Sequence, residues 1–523
     1  MLKSATTTLS VLLAAMILLW NCAPTPATFT DGDPVYHLND KKPIPIPKNP
    51  RSVRSLRADK NARDVNRLDD VPASSWYSPR LGYQNISPAE LVNGPAETGL
   101  PVVPITIIAI KHHRRHSSLV VRDSRGIQYL LKFAPHDLNA MFTTTSFIVN
   151  RLFWSFGYFV PEEHIFQFSR GDYKVDIPNK DNIKNIRDLL DTSTTSNQKQ
   201  YRCIASRFVR GYPLGPAAQQ GVRKEDPNDW FPHQDRRVLR ALRVFAAFTN
   251  MADMGPHHTL DVYMGKPDQG HIRHYLIDFG DAFGVIASGK NRGWAGFHHI
   301  FSLADILTNL ATLGFYRQEW EKKSKTPWKS VGPFESTLFN PEKWKEIYPY
   351  APIRKSQPAD NYWAVKILAG LTEAHISALV RAAGYINSKA RDYMIRTLVE
   401  RRKKLLQYHF NQVTPLEYID MKEDTLYLKD ICRGLFTEKK TEYYRIKFYD
   451  QRNRQVHPAT TLGCDESVVK IAAFCTLIDK AKGYLRLEIN KLTKTRPPVT
   501  RFHFSRQKNG TIKLIGVVHD NPV

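Results

Sequence analysis

Cysteine is scarce in this chain, with five residues in 523. None has the C-x-x-C spacing of a metal knuckle, which removes cysteine-based zinc chemistry from the candidate functions. Acid is also in short supply: 50 Asp and Glu stand against 75 Lys and Arg, a formal net charge of +25. A basic balance favours anionic partners such as phosphorylated metabolites, lipid headgroups, lipopolysaccharide or nucleic acid, with general surface basicity as the plain alternative. Internal repeats are missing, so a solenoid or propeller array is not expected. Even the apolar stretch 9–20 is too short for a comfortable membrane span.

That stretch reads as a targeting signal. Lys3 supplies a positive start, and the apolar run stops at Asn21-Cys22-Ala23 before Pro- and Thr-rich sequence. The pattern fits a bacterial lipoprotein signal over residues 1–22, with Cys22 cleaved to the N-terminus and lipidated. Asn21 departs from the small residue usual before such a cysteine. An ordinary secretory signal or an uncleaved anchor are the alternatives. The expected location is the bacterial cell envelope, membrane-anchored and facing the periplasm or the cell exterior. In an exported protein, Cys464 and Cys475 are near enough in sequence to pair; free buried thiols are the equal alternative. Residues 23–70, rich in Pro, Lys, Arg and Asp, read as a mobile tether.

Order is expected from about residue 71, with Trp76 and Tyr77 pinning the segment 70–83. Residues 102–110, 117–122 and 128–133 predict a three-stranded antiparallel meander. Residues 143–156 predict a helix with a broad apolar face, and 165–168 another strand. Residues 170–200 read as a polar insertion. A strand at 203–209 is broken by residues 210–216, a candidate hinge. Helical spacing recurs over 235–248 and again over 359–371, 373–383 and 388–408, with Asp360, Thr372 and Ser388 as expected caps. The basic run 401–404 on the last of these reads as a solvated face. From about 440 the pattern turns to strands, and Asn509-Gly510 is a strong hairpin signal. The organisation is therefore α+β: a small β-rich part over 71–212, a helical part over 213–412 and a C-terminal β-rich domain over 413–523.

Chemistry concentrates between residues 250 and 284. Asp253 follows an apolar helix. His258 precedes a strand, and a second strand runs into Asp278-Phe279-Gly280. Two acids separated by a hairpin fold back to one edge, where one can orient a hydroxyl and the other can hold a divalent metal against phosphates. Upstream, Lys132 stands inside an apolar strand and needs an anionic partner. The bland alternative is that Asp278 caps a turn, Asp253 caps a helix end and Lys132 snorkels to the surface. His257, His258, His233 and the histidines of 112–116 lack the spacing of helical zinc ligands.

The order small sheet, helix, breaker, helical part, acid loop, hairpin and Asp-Phe-Gly resembles the protein-kinase-like superfamily over roughly residues 100–410. Segments such as DVPASSWYSPR, LRVFAAFTN and RHYLIDFG also resemble a group of uncharacterised exported bacterial proteins. The resemblance implies a bilobal kinase-like core. It makes Asp253 the catalytic-loop acid, Lys132 and Asp278 the residues that bind ATP with Mg or Mn, and Asp278 with His258 the metal ligands. Three positions depart from the pattern. The helix glutamate that should pair with Lys132 falls at Ser146, the catalytic-loop asparagine at His258, and the loop lysine at Gly255. No glycine-rich phosphate loop is visible; the matching turn is the basic run 111–116. Glu162 or Glu163 could supply the missing carboxylate, though neither aligns. Imidazole in place of an asparagine oxygen suits manganese or zinc better than magnesium, and a lost positive charge at Gly255 removes transition-state stabilisation. The resemblance thus implies a degenerate nucleotide-binding or scaffold module of the cell envelope, or alternatively an active metal-dependent phosphotransferase. Expected partners are the membrane through Cys22 and an anionic envelope component or protein; nucleic acid is not expected.

Overall fold

Period-two alternation builds the first sheet. The computed structural model describes residues 53–54 and 61–519, apart from 112–116, 135–137, 194–199, 227, 266–269, 286–292, 300–306, 309, 314, 316–318, 323–325, 436–441, 465–466 and 493–497. The signal with Cys22, residues 23–52 of the tether and most of the basic turn 111–116 lie outside the described residues. The molecule is mixed α+β and divides into two compact units. One holds Thr414–Val523 with Arg67–Asp69, and the other holds Asp70–Val413 with the residues just before Arg67.

The larger unit begins, after helix α1 (Pro88–Asn93), with strands β1 (Ile105–Lys111), β2 (Ser118–Arg122) and β3 (Gln128–Lys132) in an antiparallel meander. Helix α2 (Asn139–Ser155) starts four residues earlier than its apolar pattern indicates. Strands β4 (Glu163–Phe168), β5 (Tyr173–Val175) and β6 (Tyr201–Arg207) complete a six-stranded sheet in the order β4-β6-β3-β2-β1-β5. The polar stretch 170–200 is more than an insertion. It contributes β5, parallel to β1, and helix α3 (Lys180–Thr192), capped by Asn179 and burying Ile186 and Leu190 against the sheet core. Those two apolar positions four apart, with Leu189 partly buried beside them, make the helix's inward face.

The second half opens with strand β7 (Tyr212–Gly215). The helix read over 235–248 is two pieces, α4 (Arg237–Arg240) and α5 (Leu242–Thr249), after a tight turn at His233–Asp235. Strands β8 (Thr259–Met264) and β9 (His271–Leu276) form a hairpin that joins β7 in a three-stranded sheet. Helices α6 (Pro358–Ala369), α7 (Glu373–Ala382) and α8 (Ser388–Phe410) follow. Of the three expected caps, Thr372 serves as one; Gln357 and Asn387 take the other two places. Asp360 sits one turn inside α6 and accepts from Arg237 Nε at 3.1 Å and Gln357 N–H at 3.0 Å. No single helix among the described residues is long and apolar enough to cross a membrane.

The basic run on α8 is not a solvated face. Arg401 is buried and donates to the carbonyls of Phe248 (3.0 Å) and Glu335 (2.8 Å), and to that of Ala247. Arg402 donates to Leu368 O and Ala369 O, and Lys404 to the carbonyls of Ser336, Thr337 and Phe339. Ala247, Phe248, Leu368 and Ala369 lie at helix C-termini, which leave carbonyls without partners, and the carbonyls at 335–339 belong to an irregular segment; these cations supply donors to both. Only Lys403 is exposed. The end of the tether is also ordered: Asp64 is buried and accepts from Arg237 N–H and Val238 N–H.

Under the hairpin lies a buried ionic network. Trp76 stacks on His274 with centroids 3.5 Å apart. His274 Nδ1 meets Asp261 Oδ1 at 2.6 Å, and Arg223 Nε donates to Asp261 Oδ2 at 2.9 Å. His233 faces acceptors on both nitrogens, Ala218 O at 2.6 Å and Asp229 Oδ2 at 2.8 Å, which suits the doubly protonated ring. Burial opposes that charge, but the Asp229 carboxylate outweighs it and raises the His233 pKa above its usual 6.5. A raised folded-state pKa stabilises the fold fully below the unfolded value and ceases to do so as pH rises through the folded value. The deficit in unfolding free energy of His233→Gln is therefore expected to be largest below pH 6.5 and to shrink at alkaline pH. Urea titrations of both proteins at several pH values measure it; a deficit that grows with pH would contradict the assignment.

The second unit packs a three-stranded and a five-stranded antiparallel sheet around one core. The first runs β10 (Leu416–Lys422), β11 (Thr425–Asp430), β14 (Val468–Ile471). The second has the order β13-β12-β15-β16-β17, from β12 (Tyr443–Tyr449), β13 (Gln455–Gly463), β15 (Tyr484–Lys491), β16 (Val499–Arg506) and β17 (Ile512–His519). Asn509 and Gly510 turn β16 into β17, with Gly510 at φ 85° and Asn509 Oδ1 accepting from Thr511 N–H at 3.1 Å. The end of the tether joins this unit too, with Val517 N–H donating to Arg67 O at 2.8 Å and His519 meeting Asp69 at 2.7 Å. Cys203, Cys432, Cys464 and Cys475 are all free thiols, so the 464–475 pair is not formed.

Candidate functional site

Alternation along β3 sends Tyr129 and Leu131 into the sheet core and turns Lys132 to the opposite face, under α2. Two strands away, Glu163 opens β4 on that same face, since Glu163 pairs with Ser206 and Lys132 with Ile204 of the intervening β6. Lys132 Nζ donates to Glu163 Oε1 at 3.0 Å. The other carboxylate oxygen accepts from Ser146 Oγ at 2.9 Å. The carboxylate partner therefore comes from the sheet, and the helix position gives a small hydroxyl that holds it. A glutamate at 146 would crowd a second buried carboxylate against Glu163. Arg151 reinforces the arrangement by donating to the Glu163 carbonyl while stacking on Phe147 at 3.9 Å. Glu162, the other candidate, faces elsewhere: it accepts from Thr98 and Gly99 N–H and pairs with Arg207.

Asp278 reaches the same lysine, 3.6 Å from Nζ, with its side chain 59% exposed. Its backbone sits at φ 64°, a left-handed conformation that non-glycine residues adopt at a cost and that clusters at functional sites. The two residues after it explain how it is held. Phe279 is fully buried against Phe153 of α2, centroids 5.5 Å apart. Gly280 lets α2 come close, because a Cβ there would lie 2.1 Å from the Phe142 ring. Burial works against the Lys132 charge, but the Glu163 and Asp278 carboxylates outweigh it and hold its pKa above the ordinary lysine value.

The acid loop is anchored to the same edge. Asn250 ends α5 in a left-handed conformation, donates to Ala295 O at 3.2 Å and accepts from Trp344 Nε1 at 3.0 Å. Ile277 N–H donates to His258 O at 2.9 Å, tying the loop to the residue before Asp278. Asp253 is nearly buried, with His257 Nε2 3.8 Å from its Oδ1. Gly255 leaves little room for a side chain, since a Cβ there would meet the His257 ring at 3.1 Å. His258 is buried. Its pKa is pushed down to about 3, by desolvation first and by His257 next, against the pull of Asp278. It is therefore a neutral imidazole, and its Nδ1 has no hydrogen-bond partner among the described residues.

Lys132, Glu163, Asp278 and the loop carrying Asp253 and His258 are thus brought to one edge of α2 and the hairpin. His298 and His299 are engaged elsewhere, with Trp294 and with the Glu346 carbonyl. Among the described residues no group of three or more His, Cys, Asp or Glu side chains forms a self-sufficient metal site. The ionic network around Asp261 and His274 was not legible beforehand, because its members come from four separated segments. Comparison of the chain with protein-family models, with curated proteins and with solved structures yields no match.

Proposed function

We propose that residues 71–412 form a divergent bilobal kinase-like module that binds a nucleotide together with a divalent cation, carried on an envelope protein anchored through Cys22. The observation that carries this reading is the Lys132–Glu163 pair beside Asp278. A buried lysine fixed by one carboxylate and facing a second, half-exposed one is poised to receive phosphate oxygens. The donor set fits a shared cation rather than a dedicated metal cage: one exposed carboxylate at Asp278 and one neutral imidazole at His258, the remaining ligands coming from phosphate and water. The imidazole favours manganese over magnesium. When bound, the cation supplies charge neutralisation at the phosphates. Lys132 orients the phosphates, Glu163 fixes Lys132, and Asp278 holds its oxygen toward the site through its backbone turn.

The test is a thermal-shift titration of the full chain with ATP or GTP, each with magnesium or manganese. A metal-dependent rise in melting temperature is expected, larger with manganese, and lost in Asp278→Ala. No shift at millimolar nucleotide would replace this reading with a scaffold protein that binds through its basic surface. Phosphotransfer is a second reading, favoured by the near-burial of Asp253 beside His257. Asp253 would then accept the proton of an attacking hydroxyl or water. Asp253→Asn is expected to abolish any phosphate release from ATP while leaving the thermal shift in place.

A further inference from the structure

A cavity of about 350 Å³ opens where the segment after α2, the breaker after β6 and the hairpin meet. Its volume is within the range of small-molecule sites. Its walls combine four arginines, Arg80, Arg207, Arg210 and Arg273, with two carboxylates, Glu97 and Glu162. Arg207 takes both acids, at 3.0 and 3.4 Å. Glu162 is further saturated by Thr98, Gly99 and His164. Among the described residues, the other three arginines have no carboxylate within ion-pair distance.

Two of these are held in fixed positions. Arg80 Nη1 donates to Trp154 O at 2.8 Å and Tyr158 O at 3.1 Å, and its guanidinium lies 5.1 Å from the Trp154 ring centre. Arg273 lies 4.8 Å over Phe159, which Arg80 approaches at 5.9 Å. Phe159 is thus shared by two guanidinium groups. Arg273 Nε is buried with no hydrogen-bond partner among the described residues. The rest of the wall is apolar, including aromatic rings: Tyr275 beside Phe159 at 6.1 Å, and Phe208, which is 39% exposed.

We propose that this cavity binds a small organic phosphate, with the phosphate group between Arg273, Arg80 and Arg210 and an apolar or aromatic body against Phe159, Phe208 and Tyr275. The planar guanidinium fork matches phosphate oxygens two at a time, and the aromatic wall gives the body a surface that inorganic phosphate would not use. The site shares no residue with the cluster around Lys132, so it stands whether or not that cluster binds nucleotide. Adjacent carboxylates divide between the two: Glu162 serves this cavity and Glu163 the lysine.

The experiment is isothermal titration of the full chain with phenyl phosphate, inorganic phosphate and phenol, without nucleotide or divalent metal. Saturable binding of phenyl phosphate is expected in the wild type and in Asp278→Ala, with inorganic phosphate weaker and phenol silent. Arg273→Gln and Arg210→Gln are each expected to weaken it by about tenfold or more. Arg210 is exposed, so its variant keeps the fold and preserves the test if Arg273→Gln misfolds. Absence of binding in the wild type, or unchanged affinity in Arg210→Gln and in folded Arg273→Gln, would overturn the proposal. Loss of binding in Asp278→Ala would do so as well, because the ligand would then sit at Lys132.

Discussion

Glu163→Ala is expected to lower the unfolding free energy by about 3–5 kcal/mol, the usual cost of removing one partner from a buried ion pair. The carboxylate is fully buried, bonded to Lys132 Nζ at 3.0 Å and to Ser146 Oγ at 2.9 Å. Among the described residues, its removal leaves the lysine only the more distant, half-exposed Asp278 as an ion-pair partner. The double replacement Lys132→Met with Glu163→Leu is expected to recover most of the loss, because two well-packed apolar side chains replace a buried pair at little net cost. The same double variant should give no thermal shift with nucleotide and manganese. Urea unfolding measures both stabilities. A Glu163→Ala cost below about 1 kcal/mol, the range of exposed pairs, would mean that the pair is solvated and that Lys132 is not fixed by it.

Arg401→Ala is expected to cost a similar amount, about 3–5 kcal/mol, by a different route. The guanidinium donates to carbonyls at Phe248, Ala247 and Glu335. It also packs against the Phe339 ring at 3.6 Å and the Phe334 ring at 4.5 Å. Truncation removes the donor from the buried Phe248 carbonyl and from the part-buried Glu335 carbonyl, leaves Ala247 O with only the long Asn250 N–H contact, and opens a cavity between two aromatic rings. Burial pulls the Arg401 pKa down to about 9, which still leaves it charged at neutral pH. Lys403→Ala, two residues along the same basic run, is expected to stay within about 0.5 kcal/mol because that side chain is exposed. Equal effects of the two substitutions in urea unfolding would refute the clamp.

These two cases mark where sequence reading works and where it stops. Strands β1 to β3, the hairpin of β8 and β9, and the turn at Asn509 and Gly510 were legible because local rules decide them: period-two alternation and turn residues with the right backbone freedom. Asp-Phe-Gly was legible as a motif. Its physical content, a left-handed Asp278, a buried Phe279 and a Gly280 with no space for a Cβ, needed α2 beside it. The Lys132 partner was not decidable from spacing. Glu163 reaches Lys132 only through the strand order β4-β6-β3, and a helix-based alignment points to Ser146 instead. The basic run on α8 was misread because four consecutive charges look solvated when the carbonyls they serve are more than sixty residues away in sequence for Arg401 and Lys404. Likewise Asp64 looked like tether until its acceptor role toward Arg237 N–H, 173 residues later, was on view.

The Arg401 clamp also sets an order of events during synthesis. The carbonyls at Ala247 and Phe248 are made 154 and 153 residues before the side chain that satisfies them. At roughly 5–20 residues per second, that gap lasts on the order of ten to thirty seconds. Throughout it the Phe248 carbonyl lacks the donor that Arg401 supplies, and the apolar surface that Arg401 helps to close stays open to chaperones. A chain truncated before residue 401 would remain in that waiting state, so the helical half becomes a finished structure only once α8 has arrived.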